Sequence, residues 1–133
     1  MKKGRTVLQA KRLGIYSCSP TTSLLAAIRL MVEEDIGGLV VVDNNGFLRG
    51  IIRRTDVLKV YLDRDDWAVL PVKDFMHTEV PVVTPNTLLG DAARLLLSHP
   101  MEQVVVALRE GEELRPVAML TDGDLAYHLV KAD

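Results

Sequence analysis

Two short stretches hold the residues best suited to chemistry, Arg53-Arg54-Thr55-Asp56-Val57-Leu58 and Thr121-Asp122-Gly123-Asp124-Leu125. Each sets an acid at the start of a helical pattern, where exposed backbone N–H groups and the helix dipole stabilise a carboxylate. Asp122 and Asp124 have the donor type for a metal, but two carboxylates without further convergent ligands read as a solvated turn with a helix cap, so no metal is expected. Cys18 is the only cysteine, which excludes an intramolecular disulfide and a multi-cysteine zinc site. Pairing it with His77, His99 or His128 as nucleophile and base has no local motif behind it. Neither a P-loop nor a zinc-protease pair is present. No residue is assigned a catalytic role, and the chain is not expected to be an enzyme.

The elements that position these stretches recur. Leu39 to Val42, the turn residues Asp43-Asn44-Asn45-Gly46, and Phe47 to Ile52 predict a β-hairpin, with a helix following from Thr55. Ahead of it, Ser19 to Ser23 offer N-cap residues, and Leu24, Ala27, Ile28 and Met31 follow at helical spacing. Adding 65 to these positions gives Leu89, Ala92, Ala93 and Leu96 in a second such helix, and carries Leu39-Val40-Val41 onto Val104-Val105-Val106. The second hairpin loop, Arg109 to Glu113, is longer by three residues, after which an offset of 68 matches Gly50 with Ala118 and Asp56 with Asp124. The chain is therefore read as two repeats, 1–66 with a basic N-terminal arm and 67–133. Trp67 is expected to pack at the junction, ahead of a small helix near Val72 to Met76 and a strand near Val80 to Val83.

Composition adds exclusions. With 133 residues, 48% hydrophobic and 26% charged, the chain is long enough for one compact domain with a real core. A net charge of -2 provides no field for nucleic acid or an anionic membrane. Lys2, Lys3, Arg5, Lys11 and Arg12 are read as a solvated terminus. No run approaches membrane-spanning length and no signal-peptide core is seen, so a cytoplasmic protein is expected. The repeated helices are apolar beyond one stripe, which predicts burial on a second side, at a subunit interface.

Val82-Val83-Thr84-Pro85, the alanine-bearing helices, Gly38-Leu39-Val40-Val41-Val42-Asp43, Gly46, Gly50 and above all Thr121-Asp122-Gly123-Asp124-Leu125 resemble the CBS domain. That family occurs as tandem pairs packed into a pseudo-twofold module, the Bateman module, and the likeness runs over nearly the whole chain. Arg53 stands where the family usually has Thr or Ser, Val40 replaces its usual proline, and Leu108 stands where the first copy has Asp43. The resemblance implies an α/β fold of two β-α-β-β-α repeats with approximate twofold symmetry. It also implies a stand-alone regulatory protein, sensing energy or metabolite state through AMP, ADP, ATP or S-adenosylmethionine, with no catalytic cofactor.

In CBS pairs each cleft combines the Thr-x-x-Asp end of one repeat with parts of the other. The resemblance thus sets Thr121 and Asp124 with Gly14, Ile15, Ile36, Gly37 and Gly38. There the carboxylate would accept a ribose diol, and the hydroxyl and free backbone N–H groups would hold phosphate. The glycines would let a flat base lie against backbone. The other cleft takes Arg53 and Asp56 with Glu79, Val80, Met101, Glu102 and Gln103; its arginines suit a polyphosphate unless Glu79 and Glu102 neutralise them. The expected partners are an adenosine compound, a second copy in a homodimer, and a separate enzyme or transporter regulated in trans. The alternative is a dimerisation module without a small ligand.

Overall fold

Turn chemistry sets the hairpin on which the first unit is built. Asp43 Oδ1 accepts from the N–H groups of Asn45 (2.9 Å) and Phe47 (3.0 Å), and Gly46 takes φ 83°, so the chain reverses between two β-branched runs. The structure, a computed structural model, describes residues 6–7, 15–100 and 103–131. The basic residues Lys2, Lys3, Arg5, Lys11 and Arg12, and the expected site residues Gly14, Met101 and Glu102, lie outside the described residues.

Packing divides the chain into Tyr16–Glu79 and Val80–Asp133 with the N-terminal residues through Ile15. The sequence boundary at 66/67 differs from this because Trp67, Leu70, Val72, Phe75 and Met76 pack on the first unit's core. The first unit runs β1 (Ser17–Cys18), α1 (Leu24–Glu33), β2 (Gly38–Val42), β3 (Leu48–Arg53), α2 (Arg54–Asp63), then 3-10 turns at Trp67–Val69 and Val72–Asp74. Its sheet has the order β1-β2-β3, with β1 parallel and β3 antiparallel to β2. The second unit repeats the pattern in β4 (Val82–Val83), α3 (Leu89–Ser98), β5 (Gln103–Glu110), β6 (Glu113–Thr121) and α4 (Asp122–Lys131), with sheet order β4-β5-β6. The β-α-β-β-α pattern expected from the sequence is present twice.

The repeat extends to details. Leu24, Ala27 and Met31 of α1 are buried, as are Leu89, Ala92 and Leu96 of α3, each 65 residues further on. Each hairpin carries one extra residue, Arg49 between the pairs Val41–Gly50 and Val42–Leu48, and Val117 between Val106–Ala118 and Ala107–Pro116. Ser23 caps α1, its Oγ accepting from the Ala26 N–H at 3.1 Å. Helix α1 ends with Asp35 in the left-handed region (φ 53°) and Ile36 N–H bonded to Met31 O at 2.9 Å, which turns the chain directly into β2.

Two expectations change. The three-residue insertion at Arg109–Glu113 lengthens the strands instead of the loop: pairing continues to Glu110–Glu113, Gly111 supplies φ 64°, and Arg115 pairs with Glu110 across the hairpin. The N-terminal arm is not wholly solvated either. Val7 is fully buried in the second unit's core, and its N–H donates to Thr87 O at 2.8 Å.

Gly50 has a steric reason. His77 and Ile51 exchange two backbone hydrogen bonds, both 2.9 Å, so the segment after the 3-10 turns lies fixed along β3. A Cβ on Gly50 would stand 2.6 Å from His77 O and 3.0 Å from Met76 Sδ. Because the first of these is bonded backbone, Gly50→Ala must shift the bridge. It should lower the unfolding free energy by about 2 kcal/mol, read as an earlier urea midpoint. An unchanged midpoint would show that the bridge moves freely.

Candidate ligand site

Each hairpin delivers its second strand straight into a helix, so the residues at β3–α2 and β6–α4 meet backbone N–H groups that have no partner within the helix. In the first unit Arg53 is the N-cap and Asp56 lies three residues on. Asp56 Oδ2 accepts the Arg53 backbone N–H at 2.8 Å and Nε at 3.3 Å; Oδ1 accepts Arg53 Nη2 at 3.2 Å. A guanidinium has no acceptor, so Arg53 caps nothing in return, and only half of a capping box forms. His77 supplies the fourth contact, with Nε2 2.8 Å from Asp56 Oδ1.

Asp56 is buried. Burial alone would raise its pKa, but hydrogen bonds from Arg53 and His77, together with the Arg53 charge, outweigh it and hold the carboxyl below its ordinary value. Gly38 pairs with Arg53 across β2 and β3, and Gly37 O accepts the Arg54 N–H at 3.0 Å. Gly37 and Gly38 thus line up beside Arg53 in their own repeat.

In the second unit Thr121 replaces the arginine and the full reciprocal cap forms. Asp124 Oδ2 accepts the Thr121 N–H at 2.9 Å and its hydroxyl at 3.2 Å, while Thr121 Oγ1 accepts the Asp124 N–H at 3.3 Å. Asp122 Oδ1 accepts the Gly123 N–H at 2.8 Å. The N–H groups expected to be free for phosphate are therefore partly taken, those of Gly123 and Asp124 by side chains of this same turn. Gln103 pairs with Thr121 across β5 and β6, and its Oε1 is buried without a hydrogen-bond partner among the described residues.

The other expected site residues fall as follows. Ile15, Ile36 and Val80 are partly buried, and Glu79 is exposed. His77 had no functional signal in the sequence beyond its ring, because a bridge to Ile51, 26 positions away, leaves no local pattern (77 and 51). Trp67 stacks edge-on against Tyr61, centroids 5.7 Å apart, as a packing residue. The Cys18 thiol is pushed up to about 11 by burial, against a smaller lowering by its hydrogen bond with Thr22, so it stays protonated at neutral pH and is a poor nucleophile. Among the described residues no group of three or more His, Cys, Asp or Glu converges to hold a metal, and no helix is long and apolar enough to cross a membrane.

The CBS domain profile matches residues 11–63 and 72–131. The chain belongs to the CBS domain family. Its two matches make it a tandem CBS pair, and its α/β fold agrees with solved CBS structures. CBSX2 of Arabidopsis thaliana, solved in complex with AMP, is 28% identical with a TM-score of 0.82, covering 96% of this chain and 98% of that one. An uncharacterised 17.7 kDa protein of Acidianus ambivalens is 28% identical over 80% of this chain, which spans 63% of that relative's length. Inosine-5'-monophosphate dehydrogenase of Bifidobacterium longum is 34% identical over 70% of this CBS pair. The match takes in only 17% of that enzyme, so it carries nothing about dehydrogenase chemistry.

Proposed function

We propose that this CBS pair is a cytoplasmic regulatory protein that binds an adenosine compound, AMP, ADP, ATP or S-adenosylmethionine, at Thr121 and Asp124, and acts on a separate enzyme or transporter. The observation that carries the reading is the likeness to the CBSX2–AMP complex along almost the full length of both chains. The site chemistry supports it. Asp124 is partly exposed, and a carboxylate suits the two hydroxyls of a ribose. Gly14, Ile15, Ile36, Gly37 and Gly38 are proposed to complete this site, and Glu79, Val80, Met101, Glu102 and Gln103 to accompany Arg53 and Asp56.

Phosphate must compete with Asp122 for the start of α4. Calorimetry with the four compounds should show binding of at least one. Asp122→Asn should tighten the phosphate-bearing ligands by about two- to fivefold, the worth of one exposed charge at a helix N-terminus. If none binds at millimolar concentration, the pair is a dimerisation module instead.

A homodimer is proposed with it. Leu25 and Val32 on α1, Leu58 and Leu62 on α2, Leu97 on α3 and Val130 on α4 are all exposed apolar side chains at helix surfaces. Light scattering should give twice the 14.7 kDa chain mass; the single-chain mass at micromolar concentration would refute the dimer.

A further inference from the structure

Asp56, the match of Asp124 at an offset of 68, is saturated. A carboxylate has about four lone-pair sites. Asp56 fills all four from within its own unit: Arg53 Nη2 and His77 Nε2 on Oδ1, and the Arg53 backbone N–H and Nε on Oδ2. A helix cap needs only the backbone N–H. The other three donors are side-chain groups, and one is brought from a distant segment by the two-bond bridge between His77 and Ile51. At 2.8 Å from a carboxylate oxygen, His77 Nε2 must carry a proton, since a bare ring nitrogen would set lone pair against lone pair. Its 3.3 Å approach to Arg53 Nη2 is then a contact of two donors sharing one acceptor. The second repeat has Thr121 in place of Arg53.

We infer that Arg53 and His77 form a latch on Asp56 that bars the first repeat's carboxylate from taking a ligand, so that each chain holds one adenosine ligand unless the latch is released. This rests on the function proposed above. The latch is releasable because its arms reach water: the His77 side chain is 39% exposed and that of Arg53 20%, against 7% for Asp56.

Equilibrium dialysis with AMP counts the sites. The wild type should take one AMP per chain and Arg53→Thr/His77→Ala two, with the count returning to one when Asp56→Ala is added. Two equal sites in the wild type, or a single site in the folded double variant, would overturn the latch. Should the double variant misfold, His77→Ala alone removes a partly exposed ring and should still admit a second, weaker AMP; an unchanged count there also overturns it. Nitrogen-15 spectra of the histidine rings need no ligand. They should show His77 protonated at Nε2, with the resonance moved by Asp56→Asn; a bare Nε2 or an unmoved resonance contradicts the latch. If neither wild type nor variants bind AMP, the functional reading fails for that ligand, and the ring spectra still decide whether the latch exists.

Discussion

Asp56→Ala is expected to lower the unfolding free energy by about 3 kcal/mol, the low end of the 3–5 kcal/mol that follows removal of one partner from a buried ion pair. The substitution takes away the acceptor for the Arg53 backbone N–H at the start of α2 and leaves a largely buried guanidinium without its carboxylate. Arg53 can turn partly to water, which keeps the loss from reaching the upper end. Urea denaturation measures it, and a loss below about 1 kcal/mol would mean that the cluster is electrostatically neutral to folding.

Acid should erase the difference. The folded-state pKa of Asp56 lies below its ordinary value of 3.8, so the unfolded chain takes up the proton first. The contribution is fully present above about pH 3.8 and is lost as the pH falls through the depressed folded value. Wild type and Asp56→Ala should therefore converge in stability on acidification below that point, and a constant gap would contradict the assignment.

Val7→Asp should cost about 3 kcal/mol, although the residue lies near the chain's start. Val7 is fully buried against a core that includes Val83, Leu89, Leu96 and Leu120. An unpaired carboxylate cannot remain there, so the segment must leave the core. That forfeits about 2 kcal/mol of apolar burial, together with the hydrogen bond to Thr87. Thermal unfolding of the variant is the check; an unchanged midpoint would mean that the second unit's core does not depend on this residue.

Nothing local in the sequence marks Val7 as buried. A single valine among lysines and arginines has no period, and its burial depends on a bridge between Thr6 and Leu88 that no local pattern encodes. The same holds for His77, whose partner strand is distant. Legible features were periodic or duplicated. The 3.6-residue spacing of Leu24, Ala27 and Met31, echoed 65 residues later, fixed both helices and the core face, and the turn residues from Asp43 to Gly46 fixed the first hairpin. The second hairpin was misjudged because Gly111 looks like loop composition, yet at φ 64° it allows a tight turn between strands that continue to Glu110 and Glu113.

At the site, the acids were visible from their place at helix starts, but the four donors on Asp56 were not. Whether a carboxylate is saturated depends on which donors the fold brings to it, and Arg53 alone signalled that the first copy departs from the second. Free backbone N–H groups were expected at this helix start, and a one-residue contact from Asp122 occupies that of Gly123.

The most direct test of the account is a calorimetric titration of AMP into the wild type, Asp124→Ala and Asp56→Ala. Each charge-assisted hydrogen bond to a ribose hydroxyl is worth roughly 1.5–3 kcal/mol, so Asp124→Ala should weaken binding by about tenfold or more with the oligomeric mass unchanged. Asp56→Ala should leave the wild-type affinity in place. Binding that survives Asp124→Ala and disappears with Asp56→Ala would contradict the assignment of the ligand to Thr121 and Asp124.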